Sequence, residues 1–243
     1  MMQRPKRWQD DGLSVSFRAC QLQSAAGLAA ALSQAAQPTG GSVSPADVGH
    51  LDLAENELQQ LDELQPFECL LSLDASHNSV ERMVALPPSL MHLNVAYNRL
   101  ESAATVGGLT CMVELNLGYN LLTDVQPIEA LTQLQVLLLA GNRISTLQGL
   151  TSLQALEVLD LKFNYIERPH ELRLLSLNAR LRTLTLQGNP VAKLPSYRAS
   201  IVAQLPALTT LDGEKTPRSS VRGAHLPLHR MEPLLCQSPR LCC

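Results

Sequence analysis

Residues 112–125 read MVELNLGYNLLTDV, and an asparagine, Asn120, stands among regularly spaced leucines. A polar side chain in such a setting is either costly or a structural device, because a buried amide without partners is unfavourable. The same arrangement returns along the chain at intervals of 22, 20, 22, 22, 22 and 25 residues. The asparagines that share it are Asn56, Asn78, Asn98, Asn120, Asn142, Asn164 and Asn189. A period this regular indicates a repeat architecture.

The apolar positions around these asparagines keep one register. Aliphatic residues stand five and three positions before each asparagine and two positions after it, with only Ala75 small among them. This is the L-x-x-L-x-L-x-x-N-x-L pattern of a leucine-rich repeat, in which a short strand points its leucines inward and turns at the asparagine. Beyond the turn a spacing near three indicates a helical or 3₁₀ return. The sequence predicts an α/β solenoid with a curved parallel sheet on the concave face and short helices or 3₁₀ turns on the convex face.

The asparagines themselves have a structural explanation. Where the buried backbone leaves the strand, its N–H and C=O groups need partners, and a side-chain amide provides a donor and an acceptor. We therefore expect the seven asparagines to form a ladder along the solenoid and assign them no part in binding.

Four segments follow from the pattern. Residues 1–45 are interpreted as a degenerate first repeat or cap with an inserted loop, in which Cys20 replaces the asparagine as a buried turn residue. Residues 46–188 hold the repeats, and residues 189–213 a C-terminal cap. Residues 214–243 carry a net charge of +3 and no periodicity, which predicts a disordered basic tail.

The cap carries a resemblance to a known family. Residues 189–218 read NPVAKLPSYRASIVAQLPALTTLDGEKTPR. This segment resembles the cap of the 22-residue leucine-rich repeat class found in the phosphatase-1 regulatory subunit, the spliceosomal A-prime protein, the outer-arm dynein light chain and ciliary or centrosomal proteins. The matching residues are Asn189, Pro190, Tyr197, Arg198, Ile201, Leu205, Pro206, Leu208, Leu211 and Asp212. The resemblance implies the fold and a binding role.

Two places depart from the regular pattern. Ala75 and Ala103 stand where other repeats have larger residues, so the second and third repeats are predicted to be the least well packed. Pro169 coincides with the 25-residue repeat, which predicts a longer convex helix over residues 171–177.

Catalytic and metal-binding signatures are missing from the sequence. It has no G-x-G-x-x-G, P-loop, G-x-S-x-G, H-E-x-x-H or C-x-x-C motif, so we expect no enzyme activity, no cofactor and no metal. Residues 1–213 have a net charge of −6, which disfavours nucleic acid as a partner.

The sequence also bears on location. There is no apolar run of 18 residues, and residues 1–12 carry charged side chains where a secretory signal would need an apolar core. The cysteines are scattered or terminal and do not form disulfide-rich caps. These features favour an intracellular protein of the cytoplasm, cilium, centrosome or nucleus. A membrane is expected as a partner only through lipidation at Cys242 and Cys243, although the ending is not a C-a-a-X box and a fortuitous tail is favoured.

The candidate binding surface consists of strand residues that point away from the leucines. The predicted partner-binding residues are Asp52, Asp74, His77, Asn94, Tyr97, Asn116, Tyr119, Asp160, Lys162 and Phe163. Exposed aromatic residues are enriched at interfaces. Two alternatives stay open, because a polar strand face can simply be hydrated and aromatic residues near the turns can pack on each other as a spine.

These observations predict a non-catalytic protein-interaction scaffold that binds another protein on its concave face. The resemblance favours cytoskeletal, ciliary or centrosomal assembly. Regulation of protein phosphatase 1 and an A-prime-like ribonucleoprotein role are the alternatives.

Overall fold

The computed structural model describes residues 12–35 and 44–217. The inserted loop predicted within residues 1–45, at residues 37–45 where glycine and proline cluster, lies outside this part of the chain except for residues 44 and 45. The predicted tail beyond residue 217, with Cys242 and Cys243, lies wholly outside it.

A ten-stranded sheet runs the length of the described chain, with its strands in sequence order. The strands are β1 (Leu13–Ser16), β2 (Val48–Asp52), β4 (Ser72–Asp74), β6 (His92–Asn94), β7 (Glu114–Asn116), β8 (Val136–Leu138), β9 (Val158–Asp160), β10 (Thr183–Thr185), β11 (Thr210–Leu211) and β12 (Glu214–Lys215). Every pair is parallel except β11 with β12. Equivalent residues of successive repeats stand opposite each other, so the predicted leucine-rich repeat solenoid is confirmed.

We number the coils 1 to 7 by their ladder asparagines, from Asn56 to Asn189. Coils 1 and 2 return on the convex side through two short parallel strands, β3 (Gln60–Leu61) and β5 (Arg82–Met83). These strands replace the helical return that the sequence predicted there.

Later coils return through helical segments, as the spacing near three predicts. Their 3₁₀ turns lie at Ala104–Gly108, Gln126–Ala130 and Leu150–Ser152, and helix α2 (Pro169–Arg173) continues into a 3₁₀ turn at Leu174–Leu177. The long convex segment of coil 6 thus begins two residues earlier than predicted, with Pro169 in its first turn, where a missing N–H costs nothing.

The core is a continuous column of aliphatic side chains. Leu115, Leu117 and Leu122, the inward positions of coil 4, have no exposed surface, and the same positions are buried in the other coils. Ala75 and Ala103 are also fully buried, so the small residues of coils 2 and 3 keep the inward register.

Each ladder asparagine joins its own coil to the preceding one. Asn120 Nδ2 donates to the carbonyls of Leu117 and Gly118 in its own coil, at 3.0 and 3.2 Å, and to Val95 O of coil 3 at 2.9 Å. Its Oδ1 accepts the Leu100 N–H at 3.0 Å. Six of the seven asparagines are buried and Asn78 is half-buried. These amides therefore hold consecutive turns at a fixed spacing.

The N-terminal end is covered by the degenerate first repeat. Strand β1 pairs with β2, and helix α1 (Leu28–Ala35) buries Leu28 and Leu32. Asn56 Oδ1 accepts the Cys20 N–H at 2.9 Å, which ties this repeat to the ladder. The prediction that Cys20 is a buried turn residue is wrong, because Cys20 is exposed.

The C-terminal end is covered by helix α3 (Tyr197–Gln204) and the antiparallel pair of β11 and β12. The predicted boundary of the cap at residue 213 is too early. Asp212 and Gly213 have positive φ values of 53° and 81°, and the chain reverses there to form β12. Thr216 is buried and donates its hydroxyl to Leu208 O at 2.7 Å, so the cap extends to this residue.

Candidate partner-binding surface

The residue before each ladder asparagine has a left-handed backbone. Its φ is 55° at His77, 56° at Tyr97, 55° at Tyr119 and 54° at Phe163, and it is also positive at the equivalent residues of coils 1, 5 and 7. This conformation is rare for residues other than glycine and asparagine. The left-handed turn points consecutive side chains in opposite directions, so the asparagine faces the core and the residue before it faces solvent. We call His77, Tyr97, Tyr119 and Phe163 the aromatic row.

Three members of the aromatic row form a stack. The ring centroids of His77 and Tyr97 are 4.3 Å apart at an interplanar angle of 11°, and those of Tyr97 and Tyr119 are 4.4 Å apart at 8°. The two tyrosines nevertheless remain 46% and 42% exposed. Desolvation, followed by the interaction with Tyr119, raises the pKa of Tyr97 above its ordinary value. The stack is thus a spine and an exposed surface at once.

A second row lies on the concave face, four positions before the ladder asparagines. Its members include Asp52, Asp74, Asn94, Asn116 and Asp160, and each accepts a hydrogen bond from the backbone N–H two residues further on. The donor–acceptor distances run from 2.9 to 3.2 Å. These five predicted site residues therefore also terminate their own strands. The sequence signal for this role is an aspartate or asparagine four positions before the ladder asparagine, and the prediction of these residues as binding residues alone did not include it.

The acidic end of the surface is partly neutralised by the first repeat. Arg18 contacts Glu55 Oε1 at 2.6 Å and Asp52 Oδ2 at 4.0 Å, and Ser16 donates its hydroxyl to Asp52 Oδ2 at 3.0 Å. The hydrogen bond with Glu55 is the main cause that raises the pKa of Arg18. The sequence did not suggest this contact, since the two partners are 37 residues apart. Asp74 and Asp160 make no ion pair within the described ranges.

The outward-facing strand residues of the concave face become partly apolar from coil 5 onward. Val136 and Leu138 there, and Val158 in coil 6, are half-buried at outward-facing strand positions, where the earlier coils carry polar side chains. Lys162 follows Asp160 in coil 6 and is also half-buried. The predicted site residues thus belong to the concave row and the aromatic row, apart from Lys162, which lies in the row between them. They are polar or aromatic in coils 1 to 4, and their neighbours in coils 5 and 6 are partly apolar.

The cap carries a hydrogen-bonded pair of its own. Tyr197 donates its hydroxyl to Asp212 Oδ2 at 2.8 Å, and Asp212 Oδ1 accepts the N–H groups of Leu186 and Gln187 at 2.7 and 3.1 Å. Burial is the main cause that raises the pKa of Tyr197, with Asp212 adding to it. This pair closes the last coil and is not part of the partner-binding surface.

Among residues 12–35 and 44–217, no three His, Cys, Asp or Glu side chains are grouped as metal ligands would be. Within the same ranges, none of the helices has the length and apolar character that crossing a membrane requires.

Known proteins share the repeat pattern. The family model for leucine-rich repeats in two copies matches residues 132–177. Leucine-rich repeat-containing protein 51 of Rattus norvegicus and its Mus musculus counterpart are each 43% identical over 49 residues, which are 20% of this chain. The match spans 26% of each relative, so the chain covers about a quarter of the curated proteins it resembles.

Two solved structures are similar in fold. The internalin InlF of Listeria monocytogenes gives a TM-score of 0.54 at 20% identity, over 70% of this chain and 56% of that one. The Drosophila melanogaster SNF/U2A′ complex gives a TM-score of 0.45 at 28% identity, over 50% of this chain and 71% of that one. The first likeness supports the solenoid fold alone, and the second is too weak to support an argument.

Proposed function

We propose that this chain is a non-catalytic scaffold that binds a protein partner on its concave face and along the aromatic row. The observation that carries the proposal is the exposed stack of His77, Tyr97 and Tyr119. Isolated exposed aromatic residues are ordinary, but a contiguous ordered stack offers a partner rigid apolar area at low entropic cost.

The neighbouring positions support close approach. Ala96 and Gly118 lie between the aromatic row and the concave row, and both are buried. A partner backbone can therefore lie against this strip without meeting a long side chain. Because aromatic anchors beside small residues are typical of the well-packed centre of an interface, we place Tyr97 and Tyr119 at the centre of this one.

The charged residues have a secondary role in the proposal. Asp74 is free of ion pairs within the described chain, and it would orient a basic segment of the partner toward coils 1 to 4. Exposed charges of this kind act mainly on association rate and on salt dependence. Asp52 contributes less, since Arg18 already lies 4.0 Å from it.

The cellular process is proposed from the resemblance of the C-terminal cap. The cap residues favour an intracellular role in cytoskeletal, ciliary or centrosomal assembly, with the cytoplasm, cilium, centrosome or nucleus as the place. A phosphatase-1 regulatory subunit and a component of a small nuclear ribonucleoprotein share this cap and are the competing roles.

Quantitative affinity capture with mass spectrometry tests the proposal when three forms of the chain are compared. The wild type should enrich a defined protein set, and Tyr97→Ala with Tyr119→Ala should reduce that set about tenfold or more. The matched convex pair, Glu129→Lys with Gln154→Lys, changes exposed residues on the opposite side and should have no effect.

The identity of the captured set decides the process. Tubulin, dynein or centriolar proteins would support the cytoskeletal role, a phosphatase catalytic subunit would support the first competitor, and ribonucleoprotein components would support the second. Loss of capture in the convex pair, with the tyrosine pair unchanged, would place the partner on the other face and overturn the concave assignment.

A further inference from the structure

The aromatic row is interrupted at coil 5. The residue equivalent to Tyr119 is Gly141 there, and the row resumes with Phe163 in coil 6. Tyr119 leans over Gly141, because a Cβ on Gly141 would come within 2.6 Å of Tyr119 Cδ1. Phe163 leans in the same direction, over Gly188 of coil 7. Each ring therefore lies over the coil that follows its own, and the separation between the two rings remains two coils.

The interruption has the dimensions of one planar group. Tyr119 and Phe163 start from strands two coils apart, which corresponds to about 10 Å at the usual spacing of parallel strands. The rings that do stack in this protein have centroids 4.3 and 4.4 Å apart, so two such steps fit within that distance. Phe163 is 57% exposed and stacks on no ring of the described chain. Because Tyr119 covers Gly141 of coil 5 and Phe163 covers Gly188 of coil 7, the gap between the two rings lies over coil 6.

The charges beside the gap distinguish between planar groups. Arg143 is exposed two residues after Gly141, and the Lys162 carbonyl accepts the Gly141 N–H at 2.8 Å. Neither the Arg143 guanidinium nor the Lys162 ammonium forms an ion pair with residues 12–35 or 44–217. Asp160, the acidic residue of coil 6, has its Oδ1 engaged by the Lys162 N–H at 3.0 Å. Asp160 keeps its negative charge, so Arg143 and Lys162 with Asp160 leave a net charge of +1 near the gap, which would repel an incoming guanidinium and not a neutral ring.

We propose that the gap between Tyr119 and Phe163 binds an aromatic side chain of the protein partner. In the partner sequence, this aromatic residue has acidic residues beside it. The ring would stack between Tyr119 and Phe163 over coil 6, and the acidic residues would pair with Arg143 and Lys162. Offset stacking is the favoured arrangement of aromatic pairs. This inference rests on the proposed function, since both rings belong to the same binding surface, and it adds the chemistry of the segment that coils 5 and 6 would take.

Gly141→Tyr is the substitution that fills the gap. Tyr97 and Tyr119 already adopt φ values of 56° and 55° at the equivalent positions, so a tyrosine is compatible with this turn. The new ring would displace Tyr119 into the stacked geometry that Tyr97 has on Tyr119. We expect the variant to fold like the wild type, as far-UV circular dichroism and thermal unfolding would check. Phe163→Ala is the second variant, which removes the far wall without adding bulk.

The probe is a random 12-residue peptide library displayed on phage and selected on the full chain. We expect selected peptides that lose about tenfold or more in affinity for Gly141→Tyr and for Phe163→Ala. These peptides should share an aromatic residue with aspartate or glutamate within two positions. In the charge-reversed chain, Arg143→Glu with Lys162→Glu, selection should instead return the aromatic residue beside lysine or arginine.

Three results would overturn the inference. One is a set of gap-sensitive peptides that share arginine or lysine and no aromatic residue. Another is a selection in which no peptide distinguishes the wild type from Gly141→Tyr and Phe163→Ala. The third is an unchanged flanking preference in the charge-reversed chain. If the natural partner is lost with Tyr97→Ala yet retained with Gly141→Tyr, this inference fails while the proposed function stands.

Discussion

The asparagine ladder and the aromatic row lie one residue apart in the sequence and face opposite environments. Asn120 is 4% exposed and makes four hydrogen bonds, whereas Tyr119 is 42% exposed and stacks on another ring. The left-handed backbone at Tyr119 separates them. The comparison shows that one turn per coil supplies both the internal support of the solenoid and an ordered external surface, so the two sets of residues should respond differently to substitution.

The largest expected effect belongs to the leucines behind both regions. Leu137→Ala should lower the free energy of unfolding by about 2–5 kcal/mol, because a fully buried side chain leaves a cavity. Leu138→Ala, one position along and half-buried on the concave face, should cost less than about 1 kcal/mol. Denaturant unfolding of the two variants checks this, and equal losses would show that the strand register is wrong.

The ladder should give the next largest effect. Asn120→Ala leaves the Leu100 N–H without its acceptor, at a cost of about 1–3 kcal/mol, while the three carbonyls that accept from Asn120 each keep another donor. Asn116→Ala in the same coil removes one partly exposed acceptor and should cost clearly less. Chemical denaturation compares the two, and a smaller loss for Asn120 would contradict the structural role of the ladder.

The cap hydrogen bond should contribute less than a ladder amide. Tyr197→Phe deletes the bond to Asp212 Oδ2 while Asp212 Oδ1 keeps its two backbone donors, so we expect a loss of about 1–2 kcal/mol. Tyr165→Phe, on a side chain that is 61% exposed, serves as the control and should leave the melting temperature unchanged. Equal melting temperatures for both variants would remove the cap role of the Tyr197 hydroxyl.

The aromatic row should contribute little to stability and much to binding. Tyr119→Ala removes one stacked pair, and since such a pair contributes about 0.5–1.5 kcal/mol, the variant should lower the free energy of unfolding by less than about 1.5 kcal/mol. In the double variant, Tyr97→Ala with Tyr119→Ala, capture of the partner should fall about tenfold or more. A loss of stability as large as that of Leu137→Ala would show that the stack supports the fold, as the asparagine ladder does, and that it is not mainly a binding surface.

The smallest effect should come from Asp74→Asn. An amide oxygen can still accept the Ser76 N–H, as Asn94 and Asn116 do for their own coils, so the variant loses the charge and the bond that Asp74 Oδ2 accepts from Asn94 Nδ2. We expect a loss of stability below about 1 kcal/mol and a slower association with the partner at low salt. Association rates measured at low and high salt check this. A decrease that is independent of salt would exclude an electrostatic role.

Much of the fold could be predicted because the period of the sequence matches the period of the structure. The inward leucines, the position of the strands and the outward rows all follow from counting positions relative to Asn120 and its equivalents. The strand returns of coils 1 and 2 could not be predicted in this way, since a spacing near three is also compatible with a short extended segment. The end of the cap at Thr216 escaped prediction because it depends on a chain reversal that occurs once.

The candidate surface was predictable as a set of positions and not as a set of contacts. The sequence placed Tyr97 and Tyr119 on adjacent coils. It could not tell that Arg18 lies against Glu55, because the two come from different coils and one belongs to a degenerate repeat. Nor could it tell that Glu171 of the long convex segment is buried with its Oε2 accepting the Leu147 N–H at 2.9 Å. Both contacts depend on distances between separate turns.

The solenoid can be predicted from periodicity alone, because each repeat buries the same leucines and turns at the same asparagine, and a local period is enough to specify such a unit. The arrangement of the side chains outside the turns required the folded structure. The direction in which Tyr119 and Phe163 lean, the stack of His77 on Tyr97 and the gap between Tyr119 and Phe163 all arise where neighbouring coils meet. The physical reason is that stacking between coils depends on the separation of the coils and on the rotamers of the facing rings. The period of the repeat predicts neither of these.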